Sequence, residues 1–140
     1  MKIQEIMTTN VIRAKHDMTV QEASDIFTEH GFHHIPVVDD QNHVVGIVSD
    51  RDVMKHVSPY LGTEQERELD RDTLKLLVSN VMTADPITIT EDSRIDTASI
   101  LLLEHSFSCL PVMDDEHDTL KGIVTWKDLL NYYVYSEATV

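Results

Sequence analysis

Apolar and polar positions along this chain change period several times, and they do so in the same order twice. Short extended apolar stretches, Val11-Ile12 and Ile87-Thr88-Ile89, open the two halves, the second introduced by Pro86. Thr19-Val20-Gln21-Glu22 then has the hydroxyl-x-x-Glu spacing in which two side chains satisfy each other's backbone N–H groups at a helix start, and Val20, Ala23, Phe27 and His30 follow on one helical face. Ser93-Arg94-Ile95-Asp96 opens the corresponding helix, with Ala98, Leu101, Leu102 and His105 behind it; Gly31 and Ser106 close the pair. Ile35 to Val38 against Val44 to Val48 predicts a hairpin around Asp39-Asp40-Gln41-Asn42-His43, and Leu110 to Met113 against Leu120 to Val124 predicts a second. A short helix is expected to leave each last strand at Ser49 or Thr125. Thr63 to Val78 reads as a helix exposing Glu64, Glu66, Arg67, Glu68, Arg71 and Lys75 and burying Leu69, Leu74, Leu76 and Leu77. The expected fold is α+β: a β-α-β-β-α repeat at 1–60, a linker helix at 61–77, and a second repeat with a C-terminal helix and tail at 78–140.

The repetition extends to residue identity. Met7-Thr8 matches Met82-Thr83, Ile12 matches Ile87, Ala23-Ser24 matches Ala98-Ser99, and Pro36-Val37 matches Pro111-Val112, all at an offset of 75 positions. One extra residue in the second hairpin loop then pairs Gly46-Ile47-Val48-Ser49-Asp50-Arg51-Asp52 with Gly122-Ile123-Val124-Thr125-Trp126-Lys127-Asp128. Two copies are too few for an open solenoid, which needs roughly three or more units to bury a continuous core. A closed pair about a pseudo-twofold axis is the expected arrangement, since neither half alone would bury much surface.

Charge and composition narrow the function classes. With 41% hydrophobic and 26% charged residues the chain is an ordinary globular one, and its formal charge of −14 disfavours nucleic-acid binding, which needs clustered Lys and Arg to displace counterions. No apolar run approaches the ~20 residues of a membrane span, and the N-terminus lacks the basic and apolar regions of a signal peptide. The single cysteine, Cys109, excludes an internal disulfide and fits a reducing cytoplasm. A small anionic ligand stays compatible with the acidity, because a pocket can be locally positive.

Met-Thr, a short strand, an amphipathic helix, an Ile-Pro-Val or Leu-Pro-Val strand and Gly-Ile-Val-Ser/Thr-x-x-Asp together resemble the cystathionine β-synthase (CBS) domain. The resemblance covers residues 3 to 57 and 78 to 135, so the chain resembles a stand-alone CBS pair, or Bateman module, with no catalytic domain attached. It implies a non-enzymatic regulatory module that binds AMP, ADP, ATP or a related adenosyl ligand in clefts between the repeats. It also implies a homodimer and a separate effector protein that reads the signal. Asp52 and Asp128 would hold the ribose, and Ser49 and Thr125 would contact phosphate or ribose oxygens.

The spacing itself supports two readings. A hydroxyl and a carboxylate at i and i+3, where a strand turns into a helix, suit a ribose and a phosphate near the positive helix end; they are equally good helix caps. Positive charge for a phosphate comes from His33, His34 and Arg51 in the first half, but only from Lys127 in the second, where Ser108-Cys109 replace the histidines. The sequence leaves open which motif His33 and His34 serve. By resemblance, Ile12, Ile35, Pro36, Ile87, Leu110 and Pro111 are candidates for an adenine slot, and also good core residues. The alternative to a ligand sensor is a structural or interaction module, for which the Tyr132-Tyr133-Val134-Tyr135 segment suits a dimer seam. Eight histidines raise a metal site, but none shows His-x-x-x-His spacing on a predicted helix, and adjacent His33 and His34 point to opposite faces of a strand. Four unclustered glycines exclude a Gly-rich phosphate loop, and Cys109 lacks a paired base for nucleophilic chemistry.

Overall fold

The computed structural model describes residues 1–105 and 108–137. They form two compact units, one of residues 12–85 and one of residues 1–11 with 86–140. The packing units run across the repeat boundaries: the first eleven residues pack with the second repeat, and residues 61–85 pack with the first.

In the unit of residues 12–85, strand β1 (Ala14–Lys15) leads to helix α1 (Val20–His30). The Thr19–Glu22 capping box starts α1, and Val20, Ala23 and Phe27 supply its buried face. Gly31 ends it at φ +69°, the left-handed region that glycine enters without strain, and its N–H donates to the Phe27 carbonyl. His30 was expected on the buried face but is exposed, with its ring stacked on Phe32 at 5.3 Å between centroids. Strands β2 (His34–Val38) and β3 (Val44–Ser49) form the hairpin, with His34 opposite Ser49 and Ile35 opposite Val48. Its loop is tied by Asp39 Oδ1, which accepts from the N–H groups of Gln41 and His43, both at 2.9 Å. Helix α2 (Asp50–His56) follows directly, and Ile35, Val37, Val48 and Val53 pack with the α1 residues into one core.

The expected helix over 63–78 is instead broken into α3 (Glu68–Asp72), a 3₁₀ turn (Thr73–Lys75) and α4 (Val78–Val81). Backbone pairing with a distant segment breaks it. The Val20 N–H donates to the Leu76 carbonyl and the Val78 N–H to the Met18 carbonyl, both at 2.7 Å, which holds Leu76 and Leu77 extended. Of the leucines read as buried, Leu69, Leu76 and Leu77 are exposed, Leu69 at 76%, and Leu74 is half-buried, while Val78 and Val81 enter the core instead. Asp70 is buried as a tether, accepting from the Ser58 hydroxyl and the Arg67 N–H at 2.7 Å each.

The second unit repeats the plan. It contains β5 (Ile89–Thr90), α5 (Ile95–His105), β6 (Cys109–Met113), β7 (Leu120–Thr125) and α6 (Trp126–Glu137). The β6–β7 register copies β2–β3, with Cys109 opposite Thr125 and a bulge at the same place. The extra loop residue is accommodated around Asp114, whose carboxylate accepts from the His117 and Thr119 N–H groups, with Asp118 at φ +56°. Ser106, expected to close α5, lies outside the described residues. In both halves the first strand begins later than expected: Val11-Ile12 and Ile87 lie outside the ladders, because the parallel pairing to β2 and β6 spans only Ala14–Lys15 and Ile89–Thr90.

The Met-Thr segments cross over. Thr83–Ala84 is a fourth strand, β4, pairing antiparallel with Gly46 and Ile47 of β3, whereas Thr8 exchanges both backbone hydrogen bonds with Ile123 of β7, at 2.9 and 3.0 Å. Each segment thus covers the last strand of the repeat it does not precede in sequence. This explains the motif glycines: a Cβ on Gly46 would meet the Met82 side chain and lie 2.9 Å from the Thr83 carbonyl oxygen, and one on Gly122 would lie 2.8 Å from the Thr8 carbonyl oxygen. Neither backbone can retreat without losing its pairing. Gly46→Ala and Gly122→Ala are each expected to destabilise by about 1–3 kcal/mol, read by urea unfolding, while alanine at the exposed Gln21 of α1 should change stability by less than about 0.5 kcal/mol.

Candidate functional site

Each hydroxyl-x-x-Asp motif begins where the last hairpin strand becomes a helix. In the first unit the Ser49 N–H donates to Asp52 Oδ2 at 2.9 Å and the Asp52 N–H donates to the Ser49 hydroxyl at 3.0 Å, a complete reciprocal cap. In the second unit the Thr125 N–H and hydroxyl donate to Asp128 Oδ2 at 2.9 and 3.2 Å, and the Asp128 N–H donates back to the Thr125 hydroxyl at 3.4 Å. All four motif side chains are half-buried, whereas Arg51 and Lys127 beside them are exposed.

The hairpin register brings His33 and His34 to this end of the first unit. The Asp50 N–H donates to the His33 carbonyl at 3.1 Å, and the His33 Nδ1 lies 2.9 Å from Asp50 Oδ2. This bond, the largest influence on Asp50, holds its carboxyl below the ordinary aspartate range. His34, directly opposite Ser49, is also lowered, which for a base favours the neutral form: burial brings its pKa below 6.5, against the attraction of Asp50 and Asp52. His33, His34, Ser49, Arg51 and Asp52 therefore gather at one strand-to-helix junction. Asp50 completes the group and was not among the sequence candidates; the repeat held a signal for it, since Asp50 stands where the second copy has Trp126.

The second junction gathers Thr125, Lys127 and Asp128. In place of the second histidine it has Cys109, a buried thiol that burial pushes up to about 12, so it stays protonated at neutral pH. Trp126 is the first residue of α6 and is 37% exposed.

The apolar candidates divide by burial. Ile35 and Leu110 are fully buried within their own units' cores and offer no surface to a ligand. Pro36 and Pro111 are buried on the opposite strand face, and Ile12 and Ile87 are half-buried and partly accessible. Among the described residues no helix is long and apolar enough to cross a membrane.

The model of the CBS domain matches this chain twice, over residues 3–59 and 78–135. The chain belongs to the CBS domain family. An uncharacterised 17.7 kDa protein of Acidianus ambivalens is 34% identical over 91% of this CBS pair and 70% of its own length. The structure of CBSX2 of Arabidopsis thaliana in complex with AMP aligns at 28% identity and a TM-score of 0.80, covering 97% of this chain and 98% of the other. The CBS domain pair of protein MJ0100, in complex with 5-methylthioadenosine and S-adenosyl-L-methionine, aligns at 25% identity and a TM-score of 0.77 over the same shares, 97% and 98%. The pair also matches archaeal enzymes, among them an L-aspartate semialdehyde sulfurtransferase of Methanocaldococcus jannaschii, of which it spans 22%.

The lowered His34 pKa fixes the sign of one pH effect. The unfolded chain takes up a proton near 6.5 that the folded chain takes up only at lower pH, so the fold loses stability as pH falls through and below 6.5. In urea unfolding at pH 7.5 and pH 5.5, wild type should lose more stability than His34→Gln over that interval; equal losses would leave His34 without this role.

Proposed function

We propose that this CBS pair is a non-enzymatic regulatory module of the cytoplasm that binds an adenosine-containing ligand, such as AMP, ADP, ATP or an adenosyl relative, and acts as a homodimer on a separate effector protein. The observation that carries the reading is structural likeness over 97% of the chain to two CBS pairs whose complexes hold AMP or 5-methylthioadenosine and S-adenosyl-L-methionine. The hydroxyl-x-x-Asp motif in both halves supports it.

In this reading Asp52 and Asp128 hold ribose hydroxyls, and Ser49 and Thr125 contact ribose or phosphate oxygens. The capping bonds described above fall on Oδ2 of each aspartate, so the other carboxylate oxygen suits a second donor such as a ribose hydroxyl. Arg51 and His33 supply positive charge to a phosphate in the first half and Lys127 in the second, while His34, whose pKa burial lowers, offers it a neutral imidazole. Ile12 and Ile87 flank the adenine, with Pro36 and Pro111 beside them and Ile35 and Leu110 as the core behind. Regulation then requires that the ligand bind two arrangements of the protein with different affinity.

The complete capping boxes favour a second reading, an interaction module in which Ser49, Asp52, Thr125 and Asp128 are caps alone. The two separate in a thermal-shift measurement with adenine nucleotides, S-adenosylmethionine and methylthioadenosine, on wild type, Asp52→Ala and Asp128→Ala. A bound ligand at about 100 times its Kd adds about 2.7 kcal/mol, which raises the Tm by several degrees in a chain of this size. Each aspartate variant is expected to lower the ligand-free Tm through loss of a cap worth about 1 kcal/mol. If the ligand reading holds, at least one variant also abolishes the ligand-induced increment. No increment in wild type with any of these compounds leaves the capping reading.

A further inference from the structure

We propose that Met7 and Met82 are paired oxidation sites, at which a peroxide converts each thioether to a sulfoxide and so loosens the two Met-Thr crossings of the fold.

Of the six methionines, this is the only pair that the duplication repeats. The positions that correspond to Met18, Met54 and Met113 hold Ser93, Leu130 and Val38, and Met1 precedes the repeated region. The surroundings of the pair repeat as well. A Cβ on Gly122 would have as its nearest neighbours Met7 Sδ at 2.8 Å, the Thr8 carbonyl oxygen at 2.8 Å and Met7 Cγ at 3.0 Å. On Gly46 the nearest neighbours would be Met82 Sδ, with Met82 Cγ and the Thr83 carbonyl oxygen each at 2.9 Å. Sulfur and carbonyl oxygen thus lie side by side over the same glycine in both units. A thioether suits this place because it is apolar, unbranched and adaptable. Beyond the glycine, Met82 packs against the core of the first unit and Met7 against that of the second.

Both side chains are half-buried, so neither is sealed from a small oxidant. A sulfur lone pair attacks one oxygen of the peroxide, the O–O bond breaks, and the departing hydroxide takes the proton from the transferred oxygen and leaves as water. Sulfur gives up two electrons and the peroxide accepts them. The product is polar and chiral where the thioether was apolar and flexible. An oxygen added toward the glycine faces the Thr carbonyl oxygen, two acceptors with no donor between them. The N–H groups of the Thr8 crossing are already engaged, since Thr8 and Ile123 exchange their bonds at 2.9 and 3.0 Å. An oxygen added on the core side places an unpaired dipole against apolar side chains. Either product weakens the hold of the segment on β7, or on β3 where Thr83 pairs with Ile47.

The other sulfurs do not share this position. Met1 and Met54 are 65% and 73% exposed, so a sulfoxide there stays in water, and Met113 is 4% exposed. Met18 is half-buried but is not among the nearest neighbours of either glycine. Cys109 is buried and protonated, without the thiolate that peroxide attacks.

The test treats wild type, Met54→Leu and the double variant Met7→Leu/Met82→Leu with hydrogen peroxide and then removes it. Peptide mass spectrometry locates each added oxygen, thermal melts read stability, and amide hydrogen exchange reads the crossings. Leucine keeps the apolar volume without an oxidisable sulfur, and melts before treatment verify that the variants fold. Wild type and Met54→Leu are expected to gain oxygen at Met7 and Met82 and to lose about 3 °C or more in Tm, with the Thr8 and Ile123 amides exchanging faster. The double variant is expected to keep its Tm while Met1 and, at the exposed α2 position, Met54 are oxidised. Met7 and Met82 that stay unoxidised when Met54 is fully converted would overturn the proposal, as would full oxidation of both with an unchanged melt. A double variant that loses as much stability as wild type places the damage elsewhere and overturns it too. Should the double variant fail to fold before treatment, the wild-type dose series decides: the fall in Tm must follow oxygen at Met7 and Met82, and a fall that follows Met1 or Met54 instead refutes the assignment.

Discussion

The structure depends on two close backbone passages, one in each unit. A Met-Thr segment runs along the last hairpin strand so closely that a Cβ on the facing residue would lie 2.8 or 2.9 Å from a carbonyl oxygen, a separation only glycine permits. The pairing covers an edge that would otherwise present open N–H and C=O groups. It also fixes where the strand-to-helix junction begins, since three residues after Gly46 and Gly122 the strand ends at Ser49 and Thr125 and the helix starts. The motif is thus one device read in two parts: the glycine accepts a crossing segment, and the hydroxyl and carboxylate cap the helix that the crossing positions.

Capping and ligand binding need not compete for the same residues. The cap fixes each aspartate by bonds to the strand-end N–H, at 2.9 Å in both halves, before any ligand arrives. A carboxylate already held in place loses little further freedom when a ligand hydroxyl reaches it, and such preorganisation raises affinity by lowering the ordering cost. A cap at a strand-to-helix junction is accordingly a good place to hold a binding carboxylate. The first junction adds an opposing charge, because Asp50 stands among the groups that would meet a phosphate and His33 bonds to it at 2.9 Å.

What was legible in the sequence was whatever neighbours in sequence decide among themselves. The Thr19–Glu22 cap, the Gly31 terminus, both hairpins and both hydroxyl-x-x-Asp caps are set within a few residues, and all were readable. The linker was misread because its helical pattern is overruled from a distance: Leu76 and Leu77 are held extended by bonds to Met18 and Val20, nearly sixty positions earlier. The crossing of the Met-Thr segments left no local trace, since the glycine that accepts each one lies in the other repeat. Asp50 escaped notice for a related reason. An aspartate at a helix start reads as a solvated charge, and only the hairpin register reveals that it faces His33.

The duplication separates what the fold requires from what has been added to it. Where the copies agree, at the glycines, the capping pairs and the strand prolines, the residues answer to packing and hydrogen bonding that both units share. They differ most in two places: at the junctions, where histidines and Asp50 oppose Ser108, Cys109 and Trp126, and on the outer helices, where Asp25 and Thr28 oppose Ile100 and Leu103. The junction histidines and Asp50 thus fall in one unit, and the more apolar helix positions in the other. The backbone passes from one unit to the other near residue 11 and returns near residue 85, and beside each passage a Met-Thr segment pairs with the last hairpin strand of its own unit, which ties the two ends of that unit together.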